Sequence, residues 1–204
     1  MTGASTVDLG AHRPPDTVAV RDGLRLRRWQ LDDGPLLAAA VVASRDHLRP
    51  WMPWVGLYDE DPVGAAGAFL HERAPAWAAG STLAYAVVER DPAGVERTVG
   101  AVGLENRIGQ AGLEIGYWLV PHATGRGLVT AAVRALGTAA LALAPVRRLE
   151  IHHDVANTRS GAVPARLGWR RVGERPRALE ARGECGTTVV WETVRQGPVA
   201  RTAH

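Results

Sequence analysis

Alternating apolar and polar residues mark the strands of this chain. The segment "VAVRDGLRLRR" alternates on both sides of Asp22-Gly23, which predicts a strand pair joined by a tight turn. "STLAYAVVER" and "ERTVGAVGLEN" flank the turn sequence "DPAG" and predict a second hairpin. Further strands are predicted by four later segments, "AGLEIGYWLV", "RRLEIHHDV", "GWRRVGE" and "TTVVWETV".

Apolar residues at helical spacing occupy the stretches between these strands. They predict four helices, at residues 32–48, 62–79, 127–143 and 157–167. The segment "RPWMPW" ends the first helix, because Pro50 and Pro53 lack amide hydrogens and favour extended backbone before them. We expect a loop there that carries Trp51 and Trp54.

The order of these elements predicts an α+β domain. Strands come first and then alternate with helices, so we expect one mixed, mostly antiparallel sheet of about six to seven strands with about four helices. A chain of 204 residues is long enough for one domain with a real core and short for two. We expect a flexible arm at residues 1–16, a single domain at 17–196 and a tail at 197–204.

Composition narrows the classes of function. Cys185 is the only cysteine, which excludes an intrachain disulfide and a cysteine-based zinc site and favours the cytoplasm. All 24 basic residues are arginine, they are scattered, and the formal charge is only +3, which argues against nucleic acid as a partner. No apolar run is long enough to predict a membrane span or a signal peptide, so we expect no membrane partner.

A glycine pair marks the junction between a predicted strand and a predicted helix. In "HATGRGLVT", Gly125 and Gly127 let backbone amides approach a ligand, and the helix N-terminus favours an anion that Arg126 could also contact. A tight strand-to-helix turn with no ligand would have the same sequence. A P-loop is excluded because the chain has no lysine, and the dinucleotide fingerprint is excluded because Thr130 occupies its third glycine position.

Four segments together resemble the GCN5-related N-acetyltransferases (GNAT). They are "HATGRG", "EIGYWLVP", "NTRSGAVPARLGW" and "RDHLRPWMPW", and they resemble the branch that includes the ribosomal-protein N-terminal acetyltransferases, over roughly Leu24 to Val194. His122 and Trp169 depart from the usual family residues, which are glutamine or arginine and phenylalanine. The resemblance implies a sheet with a splayed central strand pair, acetyl-CoA as acyl donor without a metal, and an amine acceptor.

The resemblance also implies which residues contact the donor. Backbone groups of Trp118, Leu119 and Val120 would bind pantetheine, and Asn157 and Ser160 would contact the far end of coenzyme A. The pyrophosphate would be bound by Thr124, Gly125, Arg126, Gly127, Leu128 and Val129. Asn157 has an alternative role as an ordinary helix N-cap, and Ser160 needs no catalytic role to stand in the first turn of a helix.

Proline at position 164 gives a separate indication. Because Pro164 cannot donate a hydrogen bond, it leaves the Ser160 carbonyl available for a ligand or water, or simply kinks the helix.

Acyl transfer from a thioester needs a neutral amine, a donor to the developing oxyanion and a proton for the leaving thiolate. A backbone N–H near residues 118–120 is our candidate for the oxyanion donor. Ser160 is the preferred proton donor to the thiolate, ahead of Tyr117. Glu114 is the candidate base, since strand alternation directs it to the same face as Trp118, but a salt bridge to an arginine would explain it equally well.

Other polar residues are weaker candidates for chemistry. Glu105 and Asp154 are reserve bases. His152 shares a strand face with Asp154, and two potential ligands make a poor metal site, so we expect no metal. Trp51 and Trp54 are candidate acceptor-binding residues, with a place in the core as the alternative.

These residues predict an N-acetyltransferase that uses direct attack in a ternary complex. The expected acceptor is a protein or peptide N-terminal α-amine, because its pKa near 8 leaves more neutral amine at pH 7 than a lysine pKa near 10.4, both approximate values. The alternatives are a small-molecule amine such as an antibiotic or polyamine, succinyl-CoA as the donor, and a non-catalytic coenzyme A-binding sensor. The sequence is also compatible with a homodimer.

Overall fold

The computed structural model describes residues 6–10 and 12–195. One sheet, in the order β1-β2-β3-β4-β5-β6-β8-β7, forms its centre. Its eight strands are β1 Thr17–Arg21, β2 Leu24–Arg28, β3 Thr82–Arg90, β4 Glu96–Glu105, β5 Gly112–Leu119, β6 Arg148–Asp154, β7 Arg170–Pro176 and β8 Thr187–Val194. Every neighbouring pair is antiparallel except β5 and β6. The predicted α+β class and mixed sheet are confirmed, with eight strands instead of six to seven.

The α-helices pack on both faces of this sheet. They are α1 Gly34–Val42, α2 Arg45–Leu48, α3 Pro62–Ala79, α4 Leu128–Ala142 and α5 Thr158–Arg166. Three short 3-10 turns precede α1, α3 and α4. They are Leu31–Asp33, Pro53–Tyr58 and Pro121–Ala123. In the part of the chain that the structure describes, no helix is long and apolar enough to cross a membrane.

The single helix predicted at residues 32–48 is wrong, because it is broken at Ser44. The Ser44 hydroxyl donates to the Ala40 carbonyl at 2.7 Å, and this carbonyl is the acceptor that the Ser44 N–H would use in a continuous helix. The Ser44 N–H donates instead to the Val41 carbonyl at 2.9 Å. The chain therefore turns between α1 and α2.

Two apolar clusters hold the helices to the sheet. One side of the sheet packs against α4 through buried residues such as Ile115, Leu136 and Leu149. The opposite side packs against α1, α3 and the 3-10 turn through buried residues such as Val41 and Val55. Both faces of the central strands are thereby covered, and successive β5 side chains point alternately into the two clusters.

The central strands β5 and β6 separate along their length. They pair in parallel from Gly112 to Glu114, opposite Arg148 to Glu150. Beyond Glu114, β5 continues to pair with β4 as far as Leu119, while β6 continues to pair with β8 as far as Asp154. The gap between them confirms the predicted splayed pair.

Part of the predicted N-terminal arm packs against the domain. Val7 and Leu9 are buried in the core, and the Asn106 side chain bonds both the N–H and the carbonyl of Val7, at 2.8 and 2.7 Å. Two apolar side chains therefore anchor a segment that is otherwise polar. Residues 1–5 of the predicted arm and the predicted tail at 197–204 lie outside the described residues.

Candidate active site

A pocket of about 140 Å³ lies in the gap between β5 and β6. Tyr117, which packs against the first apolar cluster, and Met52, which packs against the second, both line it. The pocket is therefore lined from both sides of the sheet. Its other lining residues are Trp51, Met52, Ile115, His152, His153, Asp154, Asn157, Ser160, Arg177 and Glu184.

The glycine turn before α4 has the backbone that the sequence predicts for anion binding. Gly125 and Gly127 both have φ of +73°, in the left-handed region that favours glycine. A Cβ built at either position would find no described atom within 4 Å, so the space outside the turn is open. Gly127 caps α4 without a side-chain hydrogen bond from the described residues, which leaves the first helical N–H groups directed at that space.

The side chains of this turn already have hydrogen-bond or packing partners within the protein. Arg126 donates two hydrogen bonds to Glu89, at 3.0 and 2.5 Å, and the Thr124 hydroxyl donates to the Pro121 carbonyl at 2.8 Å. Leu128 is buried in the core. The anion site consequently depends on backbone N–H groups, and Arg126 must leave Glu89 to contact an anion.

The edge of β5 offers fewer backbone groups than the sequence predicts. Val120 donates its N–H to the Val99 carbonyl at 2.9 Å, so this amide is not available to an oxyanion. Hydrogen-bonded residues alternate along an antiparallel pair, which directs Trp118 toward β4 as well and Leu119 toward the gap. Of the three predicted residues, Leu119 is the one whose amide faces the pocket side.

Tyr117 and Ser160 form a hydrogen-bonded pair beside the pocket. The Tyr117 hydroxyl donates to the Ser160 carbonyl at 2.9 Å and lies 3.2 Å from the Ser160 Oγ. Pro164 has no N–H to donate to this carbonyl within α5, and the sequence analysis predicted that a ligand or water would bond it. In the structure the Tyr117 hydroxyl bonds it instead. Burial raises the pKa of Tyr117 to about 12, which keeps its phenol protonated at neutral pH.

Asn157 is the N-cap of α5. Its side-chain oxygen accepts from the Ser160 N–H at 3.2 Å, so the structural role foreseen as the alternative is present. Asn157 also lines the pocket, and it holds the first turn of α5 with Ser160 facing Tyr117.

Glu114 is buried and bound to an arginine. Arg107 donates from Nε and Nη2 to its two carboxylate oxygens, at 2.9 and 2.7 Å. The salt bridge to an arginine, which the sequence analysis gave as the alternative role of Glu114, is therefore present. Glu114 is not one of the described residues that line the pocket. Its Oε2 lies 3.3 Å from Nδ1 of His152, which does line the pocket. The catalytic role of Glu114 stays a prediction.

The two reserve bases are also engaged. The Glu105 carboxylate accepts from the Thr82 hydroxyl at 2.8 Å and lies 3.7 Å from Arg73. Burial alone would raise the pKa of Asp154, yet the N–H groups of Ala156, Cys185 and Gly186 and the Cys185 thiol lower it to about 2. A carboxylate with such a low pKa is a poor base, so Asp154 is an anchor for the residues that bond to it.

The loop between β7 and β8, residues 177–186, is a part of the site that the sequence reading missed. Arg177 and Glu184 line the pocket, and the Gly183 N–H donates to the Pro50 carbonyl at 2.9 Å. The loop is therefore joined at one point to the segment at residues 50–54, called the tryptophan loop because it contains Trp51 and Trp54, and at another point to Asp154. The contacts Gly183–Pro50 and Cys185–Asp154 join residues 133 and 31 positions apart, so no local pattern signals them.

The two tryptophans of the predicted acceptor site are in different places. Trp51 lines the pocket. Trp54 packs against Tyr58 and Trp118, with ring centroids 5.9 and 6.2 Å apart, at the edge of the second apolar cluster. The tilted contact with Trp118 holds Trp54 beside the pocket lining, and its role in acceptor binding stays a prediction.

His152 and Asp154 do not come together as a metal site. His152 bonds Glu150 at 2.7 Å, while Asp154 is bonded by backbone N–H groups. Over residues 6–10 and 12–195, no group of three or more histidine, cysteine, aspartate or glutamate side chains is placed to hold a metal ion.

Comparison with known proteins supports the same fold and class. The sequence profile of the family described as "Acetyltransferase (GNAT) domain" matches residues 23–170. YdaF of Bacillus subtilis strain 168, which carries the provisional name of a ribosomal N-acetyltransferase, is 28% identical over 172 residues. That alignment covers 82% of this chain and 88% of YdaF.

Three solved structures with this architecture contain acetyl-CoA or a form of coenzyme A. The self-immunity acetyltransferase MccE in complex with acetyl-CoA and AMP has a TM-score of 0.78 at 20% identity, over 88% of this chain and 97% of its own. RimL, a ribosomal L7/L12 α-N-protein acetyltransferase in complex with coenzyme A, also has a TM-score of 0.78 at 20% identity, over 87% and 97%. Mycobacterium smegmatis RimJ in complex with CoA-disulfide has a TM-score of 0.73 at 25% identity, over 88% of each chain.

Proposed function

The chain belongs to the GNAT acetyltransferase family, and from that premise we propose that it acetylates a protein N-terminal α-amine with acetyl-CoA. The observation that carries the proposal is the open glycine turn at Gly125 and Gly127, in front of an α4 N-terminus that has no side-chain cap. Relatives whose names include ribosomal N-acetyltransferase, YdaF and RimL among them, support the choice of a protein acceptor.

The donor fits the residues that are present. Backbone N–H groups from residue 125 to residue 129 would bind the pyrophosphate, because the turn has room for it and the helix N-terminus favours negative charge. Leu119 would direct its amide to pantetheine and to the developing oxyanion. Acetyl-CoA supplies the thioester carbonyl, and the protein supplies position and protons.

The Tyr117–Ser160 pair supports proton delivery to the departing sulfur. The Tyr117 proton is engaged by the Ser160 carbonyl, so the Ser160 hydroxyl is the one that can turn toward the pocket. Once the Ser160 proton has been transferred, the Tyr117 hydroxyl can turn from the Ser160 carbonyl to the Ser160 Oγ, 3.2 Å away, and donate its proton there. No covalent enzyme intermediate is needed, since the amine attacks the thioester directly.

The acceptor is proposed on chemical grounds. An α-amine with a pKa near 8 is roughly a tenth neutral at pH 7, whereas a lysine amine with a pKa near 10.4 is neutral at only about a few parts in ten thousand. Trp51 and the loop at residues 177–186 would form the acceptor wall. We place the protein in the cytoplasm, where N-termini of nascent proteins are available, and leave a homodimer as a proposal.

Mass spectrometry of peptides incubated with acetyl-CoA tests the acceptor. We expect acetylation at an unblocked N-terminus, and loss of transfer when that amine is blocked although lysines remain. Preferential lysine labelling would overturn the α-amine assignment. A parallel panel of small amines, and succinyl-CoA in place of acetyl-CoA, tests the two remaining alternatives.

Calorimetry with coenzyme A tests the donor site separately. Gly125→Val adds bulk at a position with φ of +73°, where the backbone must approach phosphate. We expect affinity to fall at least about tenfold, equivalent to about 1.4 kcal/mol. Gly173→Ala in β7, where an added Cβ meets no described atom within 4 Å, is the control. Unchanged affinity in folded Gly125→Val would refute the glycine cradle.

A further inference from the structure

An ion pair attaches the glycine turn before α4 to the end of β3. Arg126 lies between Gly125 and Gly127, and its guanidinium donates to both carboxylate oxygens of Glu89, at 3.0 and 2.5 Å. Glu89 is the last residue but one of β3 and precedes Arg126 by 37 positions. The arginine and glutamate side chains are 47% and 24% exposed, so the pair lies at the surface.

Few other described contacts hold the tip of this turn, which we define as residues 125–127. The nearest backbone hydrogen bond at its far end runs from the Ala131 N–H to the Gly127 carbonyl, at 3.0 Å. Among the described residues, neither Gly125 nor Arg126 forms a backbone hydrogen bond. A Cβ added to either glycine would meet no described atom within 4 Å, so packing does not fix the tip. Arg126 is the one residue of the tip with a side chain that can reach another element.

A turn of this kind gains from being ordered before a ligand arrives. Glycine has the most backbone freedom to lose, so ordering the tip on binding would cost conformational entropy. A bond that orders the tip in the free protein lowers that cost. A guanidinium forms two parallel hydrogen bonds with a carboxylate, and these restrict orientation as well as distance. The Glu89–Arg126 pair therefore suits the task of holding the tip in one conformation.

A contact between Arg126 and a phosphate would require this pair to break. The anion would then compete with Glu89 for the guanidinium, and the carboxylate would lose its partner. The first N–H groups of α4, which have no side-chain cap among the described residues, can bind an anion without such an exchange.

We propose that Glu89 is a positioning residue for the acyl donor. It holds Arg126, and with it the tip of the glycine turn, while backbone N–H groups bind the pyrophosphate of coenzyme A. Arg126 stays with Glu89 in the bound state. The inference rests on the proposed function, because it concerns the donor site of the same reaction.

A double-mutant cycle measured by calorimetry with coenzyme A tests this role. Glu89→Gln and Arg126→Gln should each weaken binding about fivefold, the upper range for an exposed ion pair. The double variant should bind no more weakly than either single variant, because the two side chains act as a unit. In steady-state kinetics the KM for acetyl-CoA should rise by a similar factor in each variant, with kcat and the acceptor KM unchanged.

A direct contact between Arg126 and phosphate predicts a different pattern. Glu89→Gln would then tighten binding, because it frees the arginine, while Arg126→Gln would weaken it. That pattern would overturn the proposal, and so would unchanged affinity in Glu89→Gln. Losses that add up in the double variant would also overturn it, since the two residues would then act separately.

The matched control is Glu174→Gln. Glu174 is an exposed residue of β7 that is paired with Arg171, so the change removes the same charge and a similar ion pair far from the turn along the chain. Its affinity for coenzyme A should equal that of the wild type, and a loss equal to that of Glu89→Gln would overturn the proposal in favour of a general charge effect. Failure of the wild type to bind coenzyme A would instead refute the donor site of the proposed function.

Discussion

Pro164 determines which group bonds the Ser160 carbonyl. A residue with an N–H at this position would satisfy that carbonyl inside α5, whereas proline leaves it to the Tyr117 hydroxyl. The single proton of tyrosine is thereby fixed, and the Ser160 hydroxyl is left to act. Pro164 thus links the geometry of α5 to the hydrogen bonds beside the pocket.

Ser160→Ala should lower kcat by about 10²-fold or more and leave coenzyme A affinity nearly unchanged, because it removes a proton donor and little contact area. Initial rates together with calorimetry measure the two effects. Thr158→Ala, an exposed change in the first turn of the same helix, is the matched control. An effect confined to KM would mark Ser160 as a binding residue.

His153 should make the fold sensitive to acid. Its Nε2 accepts from the Trp191 indole at 3.0 Å and its Nδ1 donates to the Asp154 carbonyl at 2.8 Å, so the ring is held neutral. Burial lowers the pKa of His153 below its ordinary 6.5. The unfolded chain then takes up a proton first as the pH falls, so this stability is complete above about 6.5 and is lost below it.

Unfolding free energies between pH 7.5 and pH 5, measured with urea, test this linkage. The wild type should lose stability across that window, and His153→Gln should lose less. Burial also lowers the pKa of His47, with a smaller contribution from Arg159, so His47→Gln is needed to separate the two histidines. Identical slopes for wild type and His153→Gln would contradict the assignment.

The loop at residues 177–186 is held against the tryptophan loop by a close backbone contact. Gly183 leaves no room for a side chain there, since a Cβ would stand 2.5 Å from the Pro50 carbonyl oxygen. Gly183→Ala should therefore displace the loop from Trp51 and raise the KM for the acceptor several-fold, to about tenfold. Coenzyme A affinity should stay unchanged, because the glycine turn before α4 is elsewhere.

Steady-state kinetics with the peptide acceptor measures this effect. Gly173→Ala serves as the matched glycine control, because its added Cβ enters open space on β7. Equal KM values in the two variants would show that the loop at residues 177–186 does not form the acceptor wall.

Local pattern predicts the elements well and their contacts poorly. The helix at Pro62–Ala79 and the succession of β5, glycine turn and α4 follow from spacing and turn residues within a few positions. The Tyr117–Ser160 pair joins residues 43 apart, and the Asp154 anchor joins residues 31 apart. Periodicity contains no information on such pairings, because they depend on how elements pack. For the same reason, the sequence could not decide whether Glu114 is a base or an ion-pair partner, because its partner Arg107 is found only in the folded structure.

The N-terminal segment contributes to the stability of the domain as a whole. Leu9 is 2% exposed and packs on Gly80 at the end of α3, far along the chain. Leu9→Ala should lower the free energy of unfolding by about 2–5 kcal/mol, the usual cost of a cavity in a core. Urea unfolding measures it.

Leu36→Ala is the comparison for this change. Leu36 is 52% exposed on α1, and its replacement should alter the stability by no more than about 0.5 kcal/mol. A similarly small effect for Leu9→Ala would mean that residues 6–10 are attached to the domain without supporting it.

The gap between β5 and β6 also has a consequence for the order of events. Because Met52 and Tyr117 line one pocket from opposite sides of the sheet, we expect donor and acceptor to enter from different sides, so that neither closes the route of the other. Double-reciprocal plots at several fixed acceptor concentrations should therefore intersect and not run parallel. A competitive inhibitor of either substrate should still bind when the other substrate is saturating, so the two binding steps are independent in sequence.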